Sequence, residues 1–328
     1  MKFYLEVYGC TTNQGDGASM AGILEEAGHE RVDCMGAADI LILVTCTVIA
    51  TTEQRMLHRL KVFGETGKRI VVAGCMASAQ AELIRKHAPS AEILGPAYLH
   101  HIAQLAEGRC FEREYRPKTG FRRFSDGGAV AIPIAEGCPF ACAYCITKAA
   151  RGKLVSYPRE EIVRDVCRAV HGGCREIRLT AQDTAAYGMD CNREYAPAGA
   201  ADGASAAEAK TTKRAPGITG LFTQPTTAAA DAPAKESLSR LVKEVAALPG
   251  DFMVRVGMMN PALAKRQINE LLDAYDSPKV YKFMHLPVQS GDDDVLLGMR
   301  RAHTPQAISR RSQKRFAGGS MTSWFRLI

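Results

Sequence analysis

No apolar run in this 328-residue chain is long enough to cross a bilayer as a helix. The longest, Ile40 to Ala50, is interrupted by Thr45 and Thr47 and falls well short of the roughly twenty residues such a span needs. No membrane segment is therefore expected. The start of the chain, Met1-Lys2-Phe3-Tyr4-Leu5-Glu6, lacks the long uncharged core and small-residue cleavage site of a signal peptide, so a cytoplasmic protein is expected. No histidine lies between His101 and His171, which removes a common partner for a zinc knot in that stretch. Compositional extremes are missing too. With 46% hydrophobic and 23% charged residues, the chain falls outside the disordered and fibrous classes. Its length suits two domains of ordinary size.

What is present is cysteine, eleven in all, and a net charge of +7. In a reducing compartment so many thiols are better explained as metal ligands plus a few buried side chains than as disulfides. The positive charge is compatible with an acidic partner such as RNA.

Three of the cysteines, Cys138, Cys142 and Cys145, share one short loop that follows the apolar segment Ala129 to Ile134. Three thiolates offered to a four-iron cluster leave one iron without a protein ligand, free to bind a substrate or cofactor. A zinc site is the competing reading, but structural zinc usually closes with four ligands, often as paired C-x-x-C knuckles. The spacing C-x-x-x-C-x-x-C with Tyr144 before the last cysteine favours the iron-sulfur cluster.

Residues 2 to 107 alternate strand-like and helix-like patterns, which predicts an α/β domain with a mainly parallel, doubly wound sheet. Strands are expected at Lys2 to Tyr8, Asp39 to Thr45, Arg69 to Ala73 and Ala91 to Leu94, with helices at Asp16 to Ala27, Thr52 to Phe63, Ala79 to His87 and Tyr98 to Glu107. On this scheme Cys10, Cys46 and Cys75 each fall at the C-terminal end of a strand. Parallel strands place those ends on one edge, where ligands bind in such folds. The three thiols are thus expected to converge on a second cluster, again with an open iron. Small core cysteines would be the alternative; Cys34, Cys110, Cys167, Cys174 and Cys191 have no paired spacing and are assigned no ligand role, with Cys167 on an expected helix from Arg159 to Val170 where burial suffices as an explanation.

The ordered set Tyr8-Gly9-Cys10, the loop residue Asn13, Thr45-Cys46-Thr47, Gly74-Cys75-Met76 and Gly137-Cys138-Pro139-Phe140-Ala141-Cys142-Ala143-Tyr144-Cys145 resembles the radical S-adenosylmethionine (SAM) methylthiotransferases. The segments Arg151 to Pro158 and Leu179 to Gly188 resemble the archaeal and eukaryotic branch, which acts on threonylcarbamoyladenosine beside the tRNA anticodon, at position 37. The resemblance implies two 4Fe-4S clusters, one on Cys138, Cys142 and Cys145 that cleaves SAM, and one on Cys10, Cys46 and Cys75 that carries the transferred sulfur. It implies SAM as cofactor and methyl donor, tRNA as partner, an electron donor, a sulfur donor and a monomeric enzyme. Tyr144 would then pack near adenine. Gln182, Asp183, Arg255 and Gln289 are candidate SAM contacts by location alone, each equally explained as a structural polar residue at a barrel mouth. His285 is ambiguous in the same way. Two other readings share these residues: a methylthiotransferase for another tRNA adenosine or a ribosomal protein aspartate, and an inactive iron-sulfur or RNA-binding remnant.

The expected organisation is an N-terminal domain over 1–110, a linker over 111–127 and a partial βα barrel over 128–303. Its four βα units are built on strands at Ala129 to Ile134, Glu176 to Leu179, Phe252 to Val256 and Val280 to Leu286, with a helix from Ala262 to Tyr275. Residues 192–236 collapse into Ala, Thr, Pro and Gly and are expected to be a disordered insertion. Residues 304–328 match neither further barrel strands nor an RNA-binding domain, so a truncated or frameshifted product is expected.

Overall fold

The structure is a computed structural model that describes residues 1–123, 128–191 and 236–301; the expected insertion (apart from Glu236) and the atypical tail lie outside them. The first sheet comprises β1 (Lys2–Val7), β2 (Glu30–Arg31), β3 (Ile40–Thr45), β4 (Arg69–Gly74) and β5 (Glu92–Leu94). The order is β2-β1-β3-β4-β5 and every pairing is parallel. The short edge strand β2 has no counterpart among the expected strands. β3 is buried at all six positions because helices cover both faces of the sheet, which is why its sequence ILILVT shows no polar alternation. Ile40, Ile42 and Val44 join a core with Met20 and Leu24 of α1 (Thr11–Glu26), while Leu41 and Leu43 join Met56, Leu60 and Phe63 of α2 (Ala50–Glu65). The strand order reverses between β1 and β3. In an open parallel sheet that is where a crevice forms beyond the strand ends. Three shorter helices complete this half: α3 (Cys75–Ala79), α4 (Ala81–His87) and α5 (Ile102–Ala106).

The second half holds β6 (Ala129–Pro133), a two-residue antiparallel pair β7 (Ala135–Glu136) and β8 (Val155–Ser156), then β9 (Glu176–Thr180) and β10 (Met253–Val256). β6, β9 and β10 form a parallel sheet in sequential order. Around it lie α6 (Ile146–Arg151), α7 (Arg159–His171), α8 (Leu238–Ala247), α9 (Pro261–Arg266), α10 (Ile268–Tyr275) and α11 (Asp293–Gly298). Gly188 lies against the backbone of Glu236, so the described segments on either side of residues 192–235 meet.

Three expectations need correction. The segment Val280 to Leu286 makes a single bridge, Val254 to Val280, and is not a fourth strand. The Phe283 amide donates to the Tyr281 carbonyl at 2.7 Å, a tight three-residue turn that lifts the chain off the ladder. The helix expected from Ala262 to Tyr275 is two helices broken at Gln267, whose φ of −119° leaves the helical region; its side-chain amide donates instead to the Ala185 carbonyl at 2.9 Å. Finally, α1 begins at Thr11 rather than Asp16, so Asn13 is helical and not a loop residue. Tertiary bonds hold this weak first turn, among them Thr12 Oγ1 to Thr180 Oγ1 at 3.0 Å from the second sheet.

Candidate functional site

Each thiol of the N-terminal trio is presented by the turn that ends a strand. Cys10 follows β1 and occupies the N-cap position of α1. Cys46 follows β3, and Cys75 opens α3 directly after β4. Cys10 and Cys46 therefore flank the switch point of the sheet. Gly9, at φ +109°, allows their approach: a Cβ there would lie 2.7 Å from the Cys46 Cβ. Asn13 ties the trio's turns together. Its amide nitrogen donates to the carbonyls of Tyr8 (2.9 Å) and Thr45 (2.8 Å), and its oxygen faces Cys75 Sγ at 3.7 Å.

The second trio sits on the loop between β7 and α6. Gly137 opens it at φ +75°, and a Cβ at this position would fall 1.9 Å from the Lys153 carbonyl oxygen; only glycine lets the loop lie against residues 152 and 153. Lys148 Nζ donates to the Cys138 carbonyl, the Ala143 amide donates to the Met299 carbonyl at 2.9 Å, and the Gly137 amide donates to Gln182 Oε1 at 2.6 Å. Burial pushes the Cys138 thiol up to about 12, so in the bare protein it keeps its proton until a metal displaces it.

The two trios share one cavity. All six cysteines line one cavity of about 480 Å3, which also receives Tyr144, Gln182, Asp183, Arg255, Gln289 and His285. None of the eleven cysteines is in a disulfide. Among the described residues no three metal-ligating side chains converge on a single ion, whereas two open-handed thiol sets around a shared void suit clusters that spread thiolates over several irons.

The other expected residues occupy distinct places in the cavity wall. Tyr144 is half exposed, and its hydroxyl meets Arg301 Nη1 at 3.2 Å. Arg255 sets its guanidinium over the Phe283 ring, 5.3 Å from the centroid. Gln289 holds a left-handed backbone, φ +76°, rare for a residue with a side chain. His285 is lowered by burial and by Arg255. Asp183 is the most unusual. Its Oδ1 accepts from the amides of Ala185 (3.1 Å) and Asn260 (3.0 Å), while its buried Oδ2 has no partner among the described residues. Burial raises it to about 6, against backbone donors and the Arg301 charge that oppose the rise.

That orphaned oxygen gives a pH signature. A carboxyl whose folded pKa lies above its unfolded value stabilises the fold as the proton is taken up, so the cost of ionisation is present above pH 6 and relieved as pH falls toward 4. The shift to about 6 corresponds to about 3 kcal/mol. Asp183→Asn, which keeps the Oδ1 acceptor, is expected to abolish this pH step in the melting temperature without lowering stability at pH 7; thermal melts across pH 4 to 8 check it, and an unchanged step would refute the assignment.

Sequence reasoning missed a buried charge cluster beside the cavity. Lys118 Nζ donates to Asp16 Oδ1 (2.9 Å) and Glu136 Oε1 (2.7 Å), and Arg151 pairs with Asp16 Oδ2 (2.7 Å) and Glu136 Oε1 (2.9 Å). All four side chains are at most 5% exposed. Lys118 comes from the stretch expected to be only a linker. Two cations facing two carboxylates leave no net charge, the condition under which such burial is tolerated.

This arrangement defines the class: the chain belongs to the radical SAM superfamily, whose sequence profile matches residues 132–311, while residues 2–95 match Uncharacterized protein family UPF0004. The protein named "Probable threonylcarbamoyladenosine tRNA methylthiotransferase" of Methanothermobacter thermautotrophicus is 38% identical over 93% of this chain and 64% of its own length. A protein of the same name from Pyrococcus abyssi is 34% identical over 96% of this chain and 67% of its own. The Danio rerio threonylcarbamoyladenosine tRNA methylthiotransferase is 30% identical over 92% and 50%. These relatives place the chain in the radical SAM methylthiotransferase family. It spans less than two thirds of the Methanothermobacter protein's length. A solved structure of the radical SAM methyltransferase TsrM from Kitasatospora setae shares the fold, with a TM-score of 0.59 at 12% identity over 99% of this chain and 67% of that one.

Proposed function

We propose that this chain transfers a methylthio group to C2 of N6-threonylcarbamoyladenosine at tRNA position 37, using SAM and two 4Fe-4S clusters. The observation that carries this reading is that two separate cysteine trios share one cavity. Cys138, Cys142 and Cys145 would hold the cluster that engages SAM, and Cys10, Cys46 and Cys75 the cluster that carries sulfur. Those groups supply reductive SAM cleavage and the sulfur atom; the protein's own part is to hold, orient and keep water away. Residues from both sheets wall the cavity, so a nucleobase held between the trios would be in reach of both, and such positioning is worth roughly 7 to 11 kcal/mol of a barrier.

Tyr144, Gln182, Asp183, Arg255 and Gln289 are proposed SAM contacts. Asp183 Oδ2 supplies an acceptor with no competing partner among the described residues. Gln182, its oxygen engaged by Gly137, has its amide N–H groups to offer, and Tyr144 beside the last cysteine offers a ring face. The net charge of +7 supports tRNA as partner. An electron donor and a sulfur donor complete the reaction, and the chain is taken to work as a cytoplasmic monomer. Among the described residues no helix is long and apolar enough to cross a membrane.

The test is anaerobic incubation of the reconstituted chain with SAM, a reductant and threonylcarbamoyl-modified tRNA, followed by mass spectrometry of the nucleosides. The expected product carries one added methylthio group, with 5'-deoxyadenosine released. Modification of a ribosomal protein aspartate with untouched tRNA would overturn the substrate assignment, and absence of 5'-deoxyadenosine would leave an iron-sulfur remnant.

A further inference from the structure

Helix α6 starts at the residue after Cys145 and ends at Arg151, about 9 Å further along the helix axis. Its last side chain leaves the second half of the molecule and enters the first. There the guanidinium is fixed on three sides. Nη1 donates to Glu136 Oε1 at 2.9 Å; Nη2 donates to Asp16 Oδ2 and Asn13 Oδ1, both at 2.7 Å. With the fork so held, Nε–H points at Cys75 Sγ, 3.2 Å away. The side chain is 1% exposed, so no bulk water competes for that donor.

Asn13 also meets Cys75, but there the thiol is the donor and the Asn13 oxygen the acceptor, at 3.7 Å. A thiolate has no proton to give. Once Cys75 is a metal ligand, the Asn13 contact lapses and Arg151 becomes the donor the sulfur keeps. Hydrogen bonds to ligand sulfurs help set the potential of an iron-sulfur cluster, because they favour the more negative, reduced state, and a buried donor acts more strongly than an exposed one.

We propose that Arg151 is a positioning residue that, from the cluster loop's own helix, donates to the Cys75 sulfur and raises the reduction potential of the N-terminal cluster relative to the other. The inference rests on the reading that Cys10, Cys46 and Cys75 hold a cluster. One residue then couples the two halves: the helix set by one thiol loop carries the donor that tunes the other thiol set.

The decisive comparison is Arg151→Lys. Lysine keeps the positive charge against Asp16 and Glu136 but has no Nε–H to aim at the sulfur, so it would preserve a purely structural charge while depriving the sulfur of its donor. The measurement is made in protein carrying Cys138→Ser, Cys142→Ser and Cys145→Ser, where the N-terminal cluster is observed alone, by potentiometric titration followed by electron paramagnetic resonance. With Arg151→Lys, and further with Arg151→Met, the midpoint is expected to move to more negative potential. Selective loss of that cluster's iron from a folded Arg151→Lys chain would show that Arg151 retains the cluster rather than tunes it, and would overturn the proposal. An unchanged midpoint at full iron content would overturn it. Absence of iron from the triple-serine chain that retains Arg151 would instead show that the N-terminal trio holds no cluster, and the underlying reading would fall with the proposal.

Discussion

Replacing Cys138, Cys142 and Cys145 together with serine is expected to halve the iron of the anaerobically reconstituted chain, from roughly eight atoms to roughly four, and the same replacement of Cys10, Cys46 and Cys75 is expected to remove the other half. The two losses are separate because the trios are built on separate sheets. One trio hangs on the C-terminal ends of β1, β3 and β4, and the other on a loop between β7 and α6. Neither set needs a ligand from the other, and an alcohol does not replace a thiolate as an iron ligand at neutral pH. Only the first triple should abolish 5'-deoxyadenosine formation, since that trio is the one proposed to engage SAM. Iron near four per unsubstituted chain, or loss of all iron from either triple, would be incompatible with two independent sites.

Lys118→Met is expected to destabilise the protein by about 3 to 5 kcal/mol, the cost of leaving buried carboxylates without a partner. Lys118 bridges Asp16 of α1 and Glu136 of β7 from the connecting segment, so its loss leaves two anions to share Arg151. Adding Glu136→Gln to Lys118→Met should recover part of the loss, because the pair is coupled through one network. Denaturant midpoints of the single and double variants measure both effects. The acid limb of stability should move with them. Burial alone would raise Asp16, but Arg151 and Lys118 hold it below the usual carboxylate range. A carboxylate depressed in this way contributes stability that is present above its unfolded pKa, near 4, and is lost as pH falls through the folded value. Removing Lys118 weakens that depression and brings acid unfolding to higher pH. A change under about 1 kcal/mol, or an unmoved acid limb, would show that the network does not stabilise the fold.

Both cysteine sets were legible in the sequence, for different reasons. Cys138, Cys142 and Cys145 stand within eight residues, so their convergence is a property of one loop and of no distant contact. Cys10, Cys46 and Cys75 are far apart, yet the strand-helix alternation placed each at a strand end, and parallel strands share polarity; that rule alone brought them to one edge. The same period-based reasoning located β1, β3, β4, β9 and β10 to within a few residues. It overran where tertiary contacts decide. Val280 to Leu286 has the apolar content of a strand but turns away after one bridge, and Thr11 to Gly15 is too weak a helix by composition yet is helical because Thr180 of β9 and the turn carbonyls hold it.

What the sequence by itself determined is thus the fold class, the family and the six thiols, because local spacing, periodicity and chain direction are enough to specify them. The tertiary structure alone decided that the two trios open into one cavity, that Asp183 ends with one oxygen unpartnered, and that Asp16, Lys118, Glu136 and Arg151 meet in a neutral buried cluster touching Cys75. Those four residues are drawn from as much as 135 positions apart. Charge pairing has no period along a chain, and only the docking of α1 and the connecting segment against β7 and α6 brings them together where water is excluded and each charge must find its partner.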